Sequence, residues 1–328
     1  MFHVAIIGCG GIAQVHASVL SRLPNTEIIA CADIRPERAS AMAEKTGCRA
    51  YDSLDALLEA EHPDCVHLCV PHALHAPMAL QAALRGIAVF SEKPPAVTRE
   101  QWAELEEAAE KVPLGICFQN RYNPNVKEAE RILASGEYGA LLGSRAFVTW
   151  HREAPYYSES GWRGTWALEG GGVLVNQAVH TLDLLIRFMG RPEQIEAHMA
   201  NRHLRGVIEV EDTVEAYLKC GGKPALFYAT TAYTSDAPVL IDLNLEKATL
   251  RLEADELEIR TPAGVERCTF ELPKTLGKDY WGTGHFACIA DFYASIEEER
   301  RYQNDLESVR FTEEAMLGII EAAKGDLN

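Results

Sequence analysis

The stretch Val4-Ala5-Ile6-Ile7-Gly8-Cys9-Gly10-Gly11-Ile12-Ala13 decides the reading of this chain. Its first four residues make an apolar strand, and the glycines break that strand just before an apolar helix begins. Gly8 permits the tight turn, Gly10 lets the backbone approach a pyrophosphate, and Ala13 lets the helix pack closely on the strand. The helix start at Gly11 and Ile12 adds amide donors and a positive dipole end. Such a pattern is weak alone. Here it follows a strand, opens a helix and is joined by Asp33 at the end of the next strand, the context of a dinucleotide turn. Asp33 is expected to accept from ribose hydroxyls and to repel a 2′-phosphate. Arg35 either attracts that phosphate or is a solvated residue ahead of Pro36. The expected cofactor is therefore NAD, with NADP second.

Working outward, strands and helices alternate through the first 120 residues. Strands are expected over Val4–Ile7, Glu27–Ala32, Cys65–Val70, Ala88–Ser91 and Leu114–Phe118. Helices are expected near Ile12–Arg22, Pro36–Thr46, Leu54–Glu59, Ala76–Arg85 and Arg99–Lys111, the last opened by the capping box Thr98-Arg99-Glu100-Gln101. Apolar strands alternating with amphipathic helices imply a doubly wound parallel sheet covered on both faces. Ligands of such a sheet lie at the carboxyl ends of its strands.

Glu92-Lys93-Pro94 falls at one of those ends, directly after the apolar run Ile87–Phe90. A hydroxyl oxidised by hydride loss must also lose a proton, and a neutral lysine amine or a histidine can take it. Glu92 opposes a neutral Lys93 unless it points elsewhere. The plain alternative is a surface lysine paired with Glu92. Pro71 and His75, after the third long strand, are expected beside the cofactor, with His75 also a candidate helix cap. Arg121, in Gln119-Asn120-Arg121-Tyr122-Asn123, belongs to the same edge.

After about residue 121 the pattern changes, so the expected domains are 1–121 for the dinucleotide and 122–328 for substrate and oligomerisation. The second part reads as α+β, with a short helix near Asn125–Ala134, a strand over Leu142–Trp150 and a helix from about Val173 to Met189. Strands at Gln194–His203, Thr213–Lys219, Ala225–Thr231, Val239–Leu245, Thr249–Glu253 and Glu256–Arg260 follow with short turns, so the sheet is expected to be largely antiparallel. Helices near Phe286–Ser295 and Thr312–Ala323 close this domain. Asn176, His180, Asp183 and Arg187 are spaced to form one polar stripe on an apolar helix. Such a stripe is either a water-facing edge or a cleft wall in which His180 handles protons. The preceding Gly170-Gly171-Gly172 favours the cleft. Trp162-Arg163 and His285 are further candidates for substrate contact, each also explicable by packing.

Composition bounds the partners. Forty-eight acidic against 31 basic residues give a formal charge of −17, which repels nucleic acid and anionic membranes. No apolar run approaches the ~20 residues of a membrane span, and the N-terminal residues run straight into a strand with no signal-peptide pattern. The nine cysteines sit mostly in apolar runs, as small core residues of a reducing cytoplasm. Cys65-Val66-His67-Leu68-Cys69 alternates like a strand and lacks a second ligand pair, so no metal is expected.

Together these residues resemble the glucose–fructose oxidoreductase / inositol dehydrogenase / MocA family. The resemblance runs through Gly8-x-Gly10-Gly11-Ile12-Ala13, Glu92-Lys93-Pro94 and the segment Gly170–Asp183. It implies an N-terminal Rossmann domain and a C-terminal domain whose open mixed sheet mediates dimers or tetramers. It also implies NAD(P)-dependent chemistry on sugars, cyclitols or their derivatives, with Lys93 and His180 as the catalytic set and a cis bond before Pro94. Asn176, Asp183 and Arg121 would position or support them. Many inositol- and glucose-dehydrogenase-like members have aspartate where this chain has Asn176, which orients a substrate but is no base. Two other readings stay open: redox-assisted elimination, in which NAD is reduced and regenerated, and a cofactor-binding regulator without chemistry.

Overall fold

The computed structural model describes residues 1–271 and 284–327. They fall into two compact units: residues 1–119 with 284–309, and residues 120–271 with 310–327.

The first unit is built on six parallel strands, β1 (Phe2–Ile7), β2 (Thr26–Ala32), β3 (Arg49–Tyr51), β4 (Cys65–Leu68), β5 (Ala88–Ser91) and β6 (Leu114–Ile116). Their spatial order is β3-β2-β1-β4-β5-β6. The chain therefore winds outward from β1, then returns to its other side at β4. That reversal makes a crevice at the carboxyl ends of β1 and β4. Helices α1 (Gly11–Leu20), α2 (Pro36–Thr46), α3 (Leu54–Ala60), α4 (His75–Ala83) and α5 (Arg99–Ala109) supply the crossovers. The capping box forms with a variation: Thr98 Oγ1 accepts from Gln101 N at 3.2 Å, while Gln101 Oε1 accepts from Val97 N at 3.0 Å. β3 escaped the sequence reading because it is three residues long and no residue of it is fully buried.

The second unit holds α6 (Pro124–Ser135), β7 (Leu141–Thr149), the short α7 (Ala154–Ser158) and α8 (Val179–Met189). Seven more strands follow: β8 (Pro192–Ala200), β9 (Thr213–Cys220), β10 (Lys223–Thr230), β11 (Leu240–Leu245), β12 (Thr249–Glu253), β13 (Glu256–Thr261) and β14 (Gly264–Cys268). They make one eight-stranded sheet in the order β14-β13-β12-β11-β7-β10-β9-β8. Every pair is antiparallel except β7 with β10. The apolar face of α8, with Val179, Leu182, Leu185 and Ile186, lies against β7 and β10.

Three expectations are corrected. The helix near Phe286–Ser295, observed as α9 (His285–Glu297), belongs to the first unit, where it packs on α1. The last helix, α10 (Leu306–Ala323), begins in the first unit and passes into the second. The helix expected from Val173 starts only at Val179. Before it, Glu211 takes the amides of Gly172 and Leu174 at 2.9 and 3.0 Å, and a Cβ on Gly172 would lie 1.8 Å from the Glu211 carbonyl oxygen. A buried carboxylate that captures these amides holds residues 170–178 as a chain of turns.

Candidate active site

The parallel sheet of the first unit brings the ends of β1, β2, β4 and β5 to one edge. Gly8 has φ +84°, and a Cβ there would lie 2.4 Å from the carbonyl oxygen of Cys69, so the fold itself demands glycine. Gly10 differs. Its φ is −74°, and among the described residues no atom beyond its own chain neighbours lies within 4 Å of where its Cβ would be. Nothing among the described residues requires glycine at that position, whereas a pyrophosphate seated on the turn would. Gly11 and Ile12 then open α1, and Ala13 is fully buried in the contact below it.

Asp33, just past β2, uses both oxygens to shape this edge. Oδ2 accepts from Cys9 N at 2.7 Å, inside the glycine turn, and Oδ1 accepts from Arg35 N at 2.8 Å. The carboxylate keeps lone pairs for ribose hydroxyls, and Arg35 stands half-buried beside it. Between them Ile34 is 88% exposed, an apolar surface beside the carboxylate. It was missed because a single apolar residue between two charged ones carries no periodic signal. These residues fit a dinucleotide: an open glycine turn on a helix start, an acid beside it and an apolar platform.

Pro71, half-buried, opens a short 3-10 turn over His72–Leu74 after β4. His75 is buried, with its ring nitrogens 2.7 Å from the Pro94 carbonyl and 3.0 Å from the Val70 carbonyl. It is thus placed to tie the loop after β4 to the loop after β5, not to face a ligand. Burial pulls its pKa down, against the raising effect of those carbonyls.

Lys93 follows β5, half-buried, and the Lys93–Pro94 bond is cis. Glu92, expected as a cofactor contact, turns inward. Its residue is 6% exposed, its Oε1 lies 3.0 Å from His16 Nε2, and its Oε2 accepts from the Lys93 backbone at 3.3 Å. Burial by itself would raise the Glu92 pKa, but the His16 bond and nearby cations hold it well below the usual carboxylate range. His285 opens α9 and is also buried in this unit, with its pKa pushed down to about 4 by burial while Glu92 pulls the other way. Its Nδ1 has no hydrogen-bond partner among the described residues. His16, Glu92 and Cys117 bring ligand-type atoms within 4.8 Å of one another, but His16 and Glu92 already bond to each other.

In the second unit the expected polar stripe divides. Arg121 and Asp183 are each 1% exposed and pair bidentately, Nε to Oδ2 at 2.7 Å and Nη2 to Oδ1 at 2.5 Å. Thr312 donates to Oδ1 at 2.7 Å. Both Asp183 oxygens are thereby occupied in the core, which corrects the placing of Arg121 and Asp183 among ligand-facing and catalytic groups. Asn176 lies in the turns before α8 and donates to Glu169 Oε1 at 2.5 Å. Glu169 also accepts from Gly164 N, and burial pushes its pKa up to about 8 despite those bonds. Glu211, likewise buried, is raised to about 7. His180 is half-buried in the first turn of α8. Arg163 stacks over Tyr156 at 4.4 Å and Trp162 at 5.0 Å, and Tyr156 accepts from Gln177 at 3.1 Å. Glu169 and Tyr156 had no sequence signal, because their partners lie in the turns of residues 163–177.

Fold and site together define a two-unit dinucleotide-binding oxidoreductase architecture. Residues 2–117 match the profile of an oxidoreductase family with an NAD-binding Rossmann fold, and residues 126–251 match the GFO/IDH/MocA C-terminal domain. The chain belongs to the Gfo/Idh/MocA oxidoreductase family. The D-glucoside 3-dehydrogenase of Escherichia coli is 34% identical over 204 residues, 60% of this chain and 56% of that protein. An inositol 2-dehydrogenase of Rubrobacter xylanophilus is 30% identical over 186 residues, 55% of this chain and 50% of that protein. The matched stretch thus spans about half the length of these curated relatives. The solved WlbA dehydrogenase from Bordetella pertussis, in complex with NADH and UDP-GlcNAcA, superposes with a TM-score of 0.87 at 26% identity, over 98% of this chain and 96% of that one.

Proposed function

We propose that this chain is an NAD-dependent dehydrogenase that moves a hydride between a secondary hydroxyl of a sugar, cyclitol or sugar derivative and nicotinamide. One observation carries the reading: Lys93 stands at the same strand-end edge as the open Gly10 turn and Asp33. Bound NAD would supply the hydride acceptor. Gly8, Gly10, Gly11, Ile12 and Ala13 would seat its pyrophosphate, Asp33 its ribose and Ile34 its adenosine, with Pro71 beside it. Lys93 would take the hydroxyl proton in oxidation and return it in reduction. His180 is the second proton-handling candidate, and Asn176, Trp162, Arg163 and Tyr156 are candidates for holding substrate. Nucleotide-linked sugar acids join simple glycosides and cyclitols in the substrate class, on the strength of the ligand bound by the WlbA relative.

A homodimer or homotetramer through the eight-stranded sheet is part of the proposal. The face of that sheet turned from α8 carries Phe147, Leu226 and Tyr228, with Leu226 50% exposed and the two rings 6.4 Å apart. Nine free thiols suit a cytoplasmic setting. Among the described residues no helix is long and apolar enough to cross a membrane.

The test is NADH formation, followed with NAD and with NADP, across methyl D-glucosides, myo-inositol and UDP-N-acetylglucosaminuronate. Stoichiometric NADH with one of them is the expected result. NAD binding without turnover of any of them would favour the regulator instead.

A further inference from the structure

Beneath Lys93 a line of buried polar side chains crosses the first unit. Glu92 Oε1 is 3.0 Å from His16 Nε2, His16 Nδ1 is 2.8 Å from His67 Nδ1, and His67 Nε2 is 2.8 Å from the Tyr293 hydroxyl. His16 and His67 are fully buried and Tyr293 is 1% exposed. The residues come from α1, β4, the turn just after β5 and α9, four separate parts of the sequence. The rings are boxed in: His67 lies 4.9 Å from Phe90 and 5.9 Å from Tyr293, and His16 meets His67 edge-on at 5.1 Å.

With His16 neutral, one arrangement of protons satisfies the whole line. An ionised Glu92 only accepts, so His16 Nε2 carries a proton. In a neutral His16 the Nδ1 is then bare and accepts from His67 Nδ1–H. That leaves His67 Nε2 bare, and it accepts from the Tyr293 hydroxyl. Burial favours this neutral state for His67, and its pKa is held well down by that burial and by His16, with Glu92 opposing. Every donor points toward Glu92, whose second oxygen accepts from the Lys93 backbone.

We propose that Tyr293, His67 and His16 form a relay that acts through Glu92 to fix the backbone at Lys93, which makes Tyr293 a positioning residue for proton transfer. Polar chains of this kind are poor devices for stability, since apolar side chains of similar volume would hold a core at least as well. What this one provides is direction. It sets one orientation of Glu92 and holds the Lys93 backbone to that carboxylate. The inference rests on Lys93 being the proton-transfer residue.

The test uses the full chain and the variant Tyr293→Phe, which removes one hydroxyl from an aromatic surrounding. In the parent, long-range ¹H–¹⁵N spectra should show His16 protonated at Nε2 and His67 at Nδ1. In the variant, His67 should stay protonated at Nδ1, held by His16, while its Nε2 resonance shifts because that nitrogen loses the hydroxyl it accepts from. For whichever sugar of the NADH panel is turned over, kcat should fall about tenfold to a hundredfold, the scale of a misplaced catalytic group, with the Kd for NAD within about twofold. His16→Gln, which keeps a donor and an acceptor, should retain more activity than His16→Leu. Reversed tautomers in the parent, an unchanged kcat in Tyr293→Phe, or equal losses in the two His16 variants would each overturn the relay. Normal turnover by Lys93→Met would instead sink the reading of Lys93 itself, with the tautomers as described.

Discussion

Arg121 and Asp183 meet as a fully buried bidentate pair, 2.7 and 2.5 Å between their polar atoms, with Thr312 closing on the same carboxylate. The pair joins the turn before α6 to the middle of α8 and so holds the frame that carries His180. Removing one partner strands the other charge in the core, which costs about 3–5 kcal/mol. Asp183→Asn should lower the urea midpoint accordingly, while leaving NAD affinity in the surviving folded protein near that of the parent. A variant as stable as the parent would show the pair to be dispensable.

Gly8 and Gly10 make a sharper pair of predictions, because one is needed by the fold and the other only by a ligand. Gly8→Ala meets both a positive φ and a 2.4 Å contact with Cys69, so it should destabilise by about 1–3 kcal/mol or more. Gly10→Ala has open space around its new methyl and should leave the melting temperature unchanged. Its NAD affinity should drop at least about tenfold, since a methyl would stand where the pyrophosphate approaches. Thermal denaturation alongside fluorescence titration with NAD separates the two. Equal behaviour of the variants in both assays would remove the argument for a dinucleotide at this turn.

Lys93→Met should bind NAD almost normally yet lose between about a hundredfold and ten-thousandfold in kcat, the usual contribution of a positioned acid–base group. Rapid-mixing measurement of NADH formation gives the readout. Turnover within a few-fold of the parent would move the proton to another group, with His180 next in line.

Asp33→Asn keeps an acceptor for the Cys9 amide while removing the charge that opposes a 2′-phosphate. The preference for NAD over NADP should shrink by about tenfold or more, mostly through tighter NADP binding. A ratio of dissociation constants unchanged from the parent would mean that Arg35 and its neighbours decide the preference.

Glu169 should leave a mark on the pH dependence of stability. Its folded pKa is raised to about 8 from an ordinary value of 4.5, chiefly by burial. The folded state therefore holds a proton that the unfolded state releases as pH rises above about 4.5. The stabilising contribution is complete below that pH and is lost progressively as pH climbs through 8. Denaturant midpoints at pH 6 and pH 9 should thus differ less in Glu169→Gln than in the parent. An identical difference in both proteins would place the titration elsewhere.

The alternation of apolar runs and amphipathic helices, the glycine turn and the acid at Asp33 were legible in sequence. So was the position of Lys93 at a strand end, since in a parallel sheet all such ends share one edge. These features depend on residues within a few positions of one another, where periodicity and turn chemistry act directly. The start of α8 was not legible. Its delay to Val179 depends on Glu211, a buried carboxylate some forty residues away that captures two amides of the glycine stretch. Nor could the spacing of Asp183 after His180 reveal that Asp183 faces Arg121. A helical stripe says which residues share a face, not what packs against it.

For this protein, then, the sequence alone determined a doubly wound dinucleotide unit followed by a largely antiparallel one, and it marked Lys93 and the glycine turn for chemistry. Only the tertiary structure decided that α9 returns to the first unit, that Glu92 points inward to His16, and that Arg121 and Asp183 are spent on each other. The physical reason is distance along the chain. Local propensities are written in neighbouring residues, whereas the partner of a buried charge is chosen by whichever remote segment the fold brings against it.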